Sequence, residues 1–204
     1  MHSAPTQKLF IDGPAGKLET VINDPGAPRR AIALIAHPHP LFGGTLDNKV
    51  VQTLAKALVE LGYVALRCNF RGVGESAGKF DEGRGESDDM LAVAAYARRE
   101  FGDLPLLLAG FSFGAFVQAR LMQKLSAQKL VLIAPAVGRF AVGTVPANTL
   151  VVHGEEDDVV PLAEVLNWVR PQQLPVVVVP GTGHFFHGRL TQLKQIVLDA
   201  CRLS

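Results

Sequence analysis

This 204-residue chain predicts an α/β fold: a mostly parallel sheet of about eight strands with helices on both faces. Three observations carry the prediction. After an initial hairpin pattern, strand-like runs alternate with helix-spaced segments to the end of the chain, and that alternation calls for right-handed parallel crossovers. The run Ala31–His37 is continuously apolar, as a strand buried on both faces must be. Hydrophobic residues make up 48% of the chain, enough for one compact domain over residues 1–204. No linker, internal repeat or low-complexity tract divides it.

The elements follow in order. Lys8–Ile11 and Leu18–Ile22 are short strands joined by the turn Asp12-Gly13-Pro14-Ala15-Gly16, a hairpin at a sheet edge. Ala31–His37 is the third strand. In Lys49–Leu61 the apolar residues Val50, Leu54, Ala57, Leu58 and Leu61 recur at helical spacing, and Gly62 ends the helix. Tyr63–Asn69 reads as a strand, Asp88–Phe101 as a helix and Leu104–Ala109 as a strand. Ala115–Leu125 is helical, and Leu130–Ile133 and Leu150–His153 are strands. Pro161–Val169 is a helix with proline at its start. Val176–Val179, four valines, is the last strand, and Leu190–Leu203 a closing helix.

Charge narrows the function classes. The formal net charge is +1, and no basic stripe or long charge run appears. Nucleic acid and anionic membranes are therefore not expected partners. The densest charge, Asp81–Asp89, reads as a solvated loop whose acidic end favours the next helix N-terminus. Two cysteines, Cys68 and Cys201, make no disulfide framework. The tail Met1–Lys8, with His2, lacks the apolar core of a signal peptide, and no apolar stretch is long enough to cross a bilayer. A soluble, cytoplasmic protein is the expectation.

The chemistry begins at Gly110-Phe111-Ser112-Phe113-Gly114, a G-x-S-x-G sequence between a strand and a helix. A turn that lifts a serine off the end of a sheet crowds strand against helix, and glycines remove the Cβ atoms that would collide. The helix N-terminus behind Ser112 offers unpaired N–H groups to an anion. A serine hydroxyl needs a base beside it. His184 follows a Gly-x-Gly loop at the carboxyl end of the last strand, where reactive groups gather in such sheets; His187 is the reserve. An imidazole base needs a carboxylate to hold its tautomer. Four acids, Glu155-Glu156-Asp157-Asp158, follow the strand that ends at His153. Asp157 is the first choice, with Asp158 next, and the others complement a helix dipole.

The resulting order, Ser112, Asp157, His184, is that of one triad architecture among three unrelated ones. Together with His37-Pro38-His39-Pro40-Leu41-Phe42-Gly43-Gly44, Asn69–Ser76 and Gly181-Thr182-Gly183-His184, it makes the chain resemble the α/β-hydrolase superfamily. Within it the chain is similar to small, lidless bacterial serine carboxylesterases. The resemblance runs from about the first strand to the last helix. It implies an α/β-hydrolase fold, a Ser112–His184–Asp157 triad and an oxyanion hole of backbone N–H groups. One donor would be Phe113. The second would come from the turn after the third strand, where Pro38 and Pro40 have no N–H, leaving His39 or Leu41; His39 is favoured. Relatives often carry His-Gly where this chain has His-Pro.

His37 and His39 could also suggest a metal, but no third ligand has family-like spacing, so no metal and no cofactor are expected. The glycine loop Arg71-Gly72-Val73-Gly74 lacks a phosphate-loop ending, and Arg71 is expected to brace it against a nearby acid. The connection from Ile133 to Leu150 has no room for a lid domain. An open cleft walled by Leu41, Phe42, Phe113, Phe185 and Phe140 would take small, soluble acyl esters. The alternatives are a thioesterase, lactonase or small-peptide hydrolase with the same triad, or a non-catalytic module on the same fold.

Overall fold

The computed structural model describes residues 5–202. His2 and the predicted helix end at Leu203 lie outside them. The strands are β1 (Thr6–Gly13), β2 (Gly16–Asn23), β3 (Ala31–Ala36), β4 (Tyr63–Cys68), β5 (Leu106–Phe111), β6 (Lys129–Ile133), β7 (Leu150–Gly154) and β8 (Val176–Val179). They form one eight-stranded sheet in the order β1-β2-β4-β3-β5-β6-β7-β8. The β1–β2 hairpin is antiparallel and joins β4 antiparallel; every other pairing is parallel.

The helices are α1 (Lys49–Glu60), α2 (Arg84–Phe101), α3 (Phe113–Leu125), α4 (Leu162–Val169) and α5 (Leu190–Cys201). β3 shows how the layers arise. Successive side chains of a strand face opposite sides. Ile32, Leu34 and Ala36 enter the core that also holds residues of α2 and α3. Ala31, Ala33 and Ile35 enter the core of α1 and α5. All six are at most 2% exposed, so a strand without polar alternation has both faces to fill. Burial of each large aliphatic side chain contributes about 1.5–3 kcal/mol. A third, smaller cluster of Ala136, Val151, Val160, Val165 and Val169 seats α4.

Most elements differ from the sequence reading by a residue or two at their ends, and three differences bear on the site. β5 runs two residues further, because Gly110 and Phe111 still pair with Leu132 and Ile133 of β6. Pro161 stands before the first turn of α4 rather than within it. The third difference is chemical. Asp81–Asp89 is not a solvated loop: α2 begins at Arg84, and Glu86 and Asp89 are fully buried. The Glu86 carboxylate accepts the N–H groups of Asp81 (2.9 Å) and Gly83 (2.8 Å), capping the helix start. Asp89 accepts a two-pronged ion pair from Arg71 Nε (2.9 Å) and Nη2 (2.7 Å). The bracing expected of Arg71 is present, with Asp89 as its acid.

Residues 134–149 contain turns and no helix or strand, so the connection from β6 to β7 forms no helical lid. Among the described residues no helix is long and apolar enough to cross a membrane.

Candidate active site

The carboxyl ends of β3, β5, β7 and the segment after β8 meet at one rim. Ser112 forms the corner between β5 and α3, at φ 55° and ψ −115°. That left-handed conformation is strained for a residue with a side chain. It is over-determined by its neighbours. The Ser112 N–H donates to the Ile133 carbonyl at 2.9 Å. A Cβ on Gly110 would overlap the Gly114 carbonyl, and one on Gly114 would overlap the carbonyls of Ala36 and His37. Strand, helix and the neighbouring strand end therefore touch backbone to backbone. The N–H groups of Phe113 and Gly114, in the first turn of α3, precede the helix's own hydrogen-bond ladder.

The second component comes from two interlocked loops. After β7 the Glu156 N–H donates to Thr182 O (2.9 Å), and Glu155 accepts the N–H of Gly181 (3.0 Å). This binds the acid-bearing loop to the histidine-bearing one. His184 Nδ1 then lies 2.7 Å from Asp157 Oδ2 and donates to it, which leaves Nε2 with the lone pair. Asp157 Oδ1 accepts from the N–H groups of Val159 (3.0 Å) and Val160 (2.7 Å). Burial works to raise the Asp157 pKa, but the hydrogen bonds from His184 and Val160 outweigh it and hold the acid below the usual carboxylate range.

The His184 ring packs on Phe111, the residue before Ser112, with centroids 4.9 Å apart. Its Nε2 is not hydrogen-bonded to the Ser112 hydroxyl; such contacts are often long without substrate and tighten when it binds. Ser112, Asp157 and His184 are all at most 7% exposed. Asp158 is exposed and His187 is exposed beside Phe185, so neither reserve residue joins the pair. Of the remaining acids, Glu155 holds Gly181 instead of complementing a helix.

The turn after β3 organises around His39. Its carbonyl accepts from Phe42 N–H (3.1 Å) and Gly44 N–H (3.0 Å), and its Nδ1 accepts from Leu41 N–H (3.2 Å). Leu41's N–H is thus engaged, whereas that of His39 has no acceptor among the described residues. The His39 ring sits among Phe42 (4.7 Å), Phe80 (4.8 Å), Phe113 (5.0 Å) and Phe140 (5.9 Å). Burial, and then the charge of Arg139, lower its pKa. His37 points inward: Nδ1 donates to Pro38 O (2.6 Å) and Nε2 accepts from Phe70 N–H (3.0 Å). With both nitrogens engaged, it has no lone pair for a metal. Burial pushes its pKa down to about 4.

The residues expected to wall the cleft divide by exposure. Leu41, Phe42 and Phe185 are exposed at the rim. Phe113 is not an open wall: its ring is fully buried and backs the aromatic cluster. Sequence reasoning missed Phe80, which approaches His39 from the loop after β4 and carried no positional signal. A cavity of about 280 Å³ opens beside Phe185, lined also by Thr45, Asp47, Asn48, Lys49 and His187.

Residues 30–145 match the model of a family described as serine aminopeptidase, S33. A lidless α/β serine hydrolase of Xanthomonas campestris is 39% identical, with a TM-score of 0.92 over 99% of this chain and 96% of that one. The chain belongs to the α/β-hydrolase superfamily. A serine hydrolase homologue from Coxiella burnetii is 41% identical, with a TM-score of 0.89 over 95% of this chain and 96% of that one. An uncharacterised protein of Rickettsia prowazekii is 32% identical over 94% of this chain and 87% of that one. This α/β hydrolase is thus of the lidless serine type, in keeping with the absence of a helix from the β6–β7 connection. Its two thiols, Cys68 and Cys201, are buried and unpaired, and burial raises their pKa values to about 12 and about 11. Neither is a nucleophile at neutral pH.

Proposed function

We propose that this hydrolase is a carboxylesterase that cleaves small, soluble acyl esters through Ser112, His184 and Asp157. The reading rests on one observation: the imidazole held at 2.7 Å by a buried carboxylate lies against the residue that precedes a strained, glycine-flanked serine. His184 Nε2 takes the proton of Ser112 as Oγ attacks the ester carbonyl. The oxyanion that forms is met by the N–H groups of Phe113 and His39, the donors left free at the two facing turns. His184 then gives its proton to the departing alcohol, which leaves toward the cavity beside Phe185. Water, activated by the same imidazole, releases the acid from the acyl-enzyme. No cofactor enters these steps. A cytoplasmic location is part of the same reading, supported by two unpaired thiols.

Ser112→Ala is expected to lower turnover of p-nitrophenyl acetate by about 10⁶-fold, and a fluorophosphonate probe should label wild type alone. Wild-type rates in the Ser112→Ala protein would overturn the assignment. A matched series of ester, thioester and amide substrates fixes the bond cleaved. Fastest cleavage of the amide would favour a peptidase, the activity that names the matching family.

A further inference from the structure

One buried imidazole stands outside the steps above. His153 is the penultimate residue of β7 and is 0% exposed. Its Nε2 lies 2.8 Å from the Val160 carbonyl and 3.4 Å from Asp157 Oδ2. Both neighbours are acceptors, so Nε2 carries the proton and Nδ1 is a bare acceptor. That Nδ1 is buried and has no partner. Leaving it unpaired costs free energy that an apolar ring of similar volume would not. What an apolar ring could not supply is a proton at Nε2.

We propose that His153 is a positioning residue for Asp157: its Nε2–H fixes Val160, whose N–H holds the carboxylate, and lends its positive edge to the oxygen that receives His184. The proposal rests on the triad reading given above. Its geometry is a closed ring. His153 donates to Val160 O, Val160 N–H donates to Asp157 Oδ1 at 2.7 Å, and Asp157 Oδ2 returns to within 3.4 Å of His153. Val160 is therefore gripped at both its N–H and its carbonyl, and the carboxylate cannot rotate without breaking one of these contacts. Oδ2 then presents itself to His184 in one orientation.

The groups that bear on this ring are few. Asp157 faces the two imidazoles, and His153 faces Asp157 and His184. Glu155 directs its carboxylate to Gly181 N–H, and Glu156 and Asp158 are exposed. Burial lowers the His153 pKa, in keeping with a neutral ring. A neutral donor edge on Oδ2 withdraws some of the negative charge that His184 feels. Its loss should leave Asp157 a stronger partner for the imidazolium.

The test compares His153→Gln with His153→Asn. A glutamine amide can place N–H near the position of Nε2, whereas an asparagine amide ends near Nδ1. The readouts are the pH profile of kcat/KM for p-nitrophenyl acetate, kcat and KM separately, and Tm. His153→Gln should stay within about threefold of wild type with an unmoved acid limb. His153→Asn should lose about tenfold in kcat at little change in KM, with its acid limb moved to higher pH. Equal behaviour of the two variants, or a fall in Tm alone with an unmoved limb, would overturn the proposal. If His153→Asn fails to fold, a tenfold loss in a His153→Gln protein of wild-type Tm would do the same. Wild-type hydrolysis that survives Ser112→Ala overturns the triad reading itself, and is recognised before any His153 variant is made.

Discussion

His37 and His184 stand at carboxyl ends of the same sheet and both give one ring proton to a fixed oxygen. Their fates differ at the other nitrogen. His37 Nδ1 donates to Pro38 O and its Nε2 is filled by the Phe70 N–H. His184 Nδ1 donates to Asp157, and its Nε2 remains open beside the serine corner. The first ring is a brace between the loops after β3 and β4, the second a candidate base. Partner charge separates them as well. A carbonyl fixes a tautomer, but only a carboxylate also stabilises the imidazolium formed when the ring takes a proton.

The comparison can be broken most severely at the acid. Asp157→Asn would keep a side chain of the same shape but replace the anion and invite the wrong tautomer, making His184 more like His37. A loss of about 10⁴-fold in kcat is expected in steady-state assays with p-nitrophenyl acetate; a loss below tenfold would mean the carboxylate is not needed. The next effect tests the third histidine of the rim. His39→Pro removes the proposed oxyanion donor and should cost about 10²–10³-fold in kcat, whereas His39→Ala keeps the N–H and should cost much less. Similar losses in both would assign the effect to the ring.

The smallest effect is one of stability. His37 binds a proton more weakly folded, with a pKa of about 4, than unfolded, near 6.5. The unfolded chain therefore gains protons first as pH falls, and stability drops between those values. This one group should cost the wild type about 2 kcal/mol between pH 7 and pH 5. His37→Gln can still accept from Phe70 but cannot titrate. It should be less stable at pH 7 by about 1 kcal/mol and lose that deficit by pH 5, as read from urea unfolding. A constant deficit across the range would show that His37 does not set the acid sensitivity.

Much of this was legible because it is local. The strand–Ser112–helix corner is written in two glycines, the buried strand in the unbroken apolar run of β3, and Asp157 and His184 in loops that follow strands. The missing parts are contacts between distant residues. Asp89 looked solvated because Arg71, eighteen positions earlier, is brought to it only by folding. Glu86 was an exception: Gly83-x-x-Glu86 has capping-box spacing, a local signal that the surrounding charges masked. The fully buried ring of Phe113 could not be told from an open wall, since its N–H and its side chain serve opposite faces of the corner.

The absence of a Cβ at residues 110 and 114 has an evolutionary side. Leu41, Phe42 and Phe185 have latitude to change, because their side chains reach solvent. The corner has no such latitude, because any added atom there meets main chain. Descendants of this molecule can vary the exposed rim side chains, while the backbone path of the corner stays where it is.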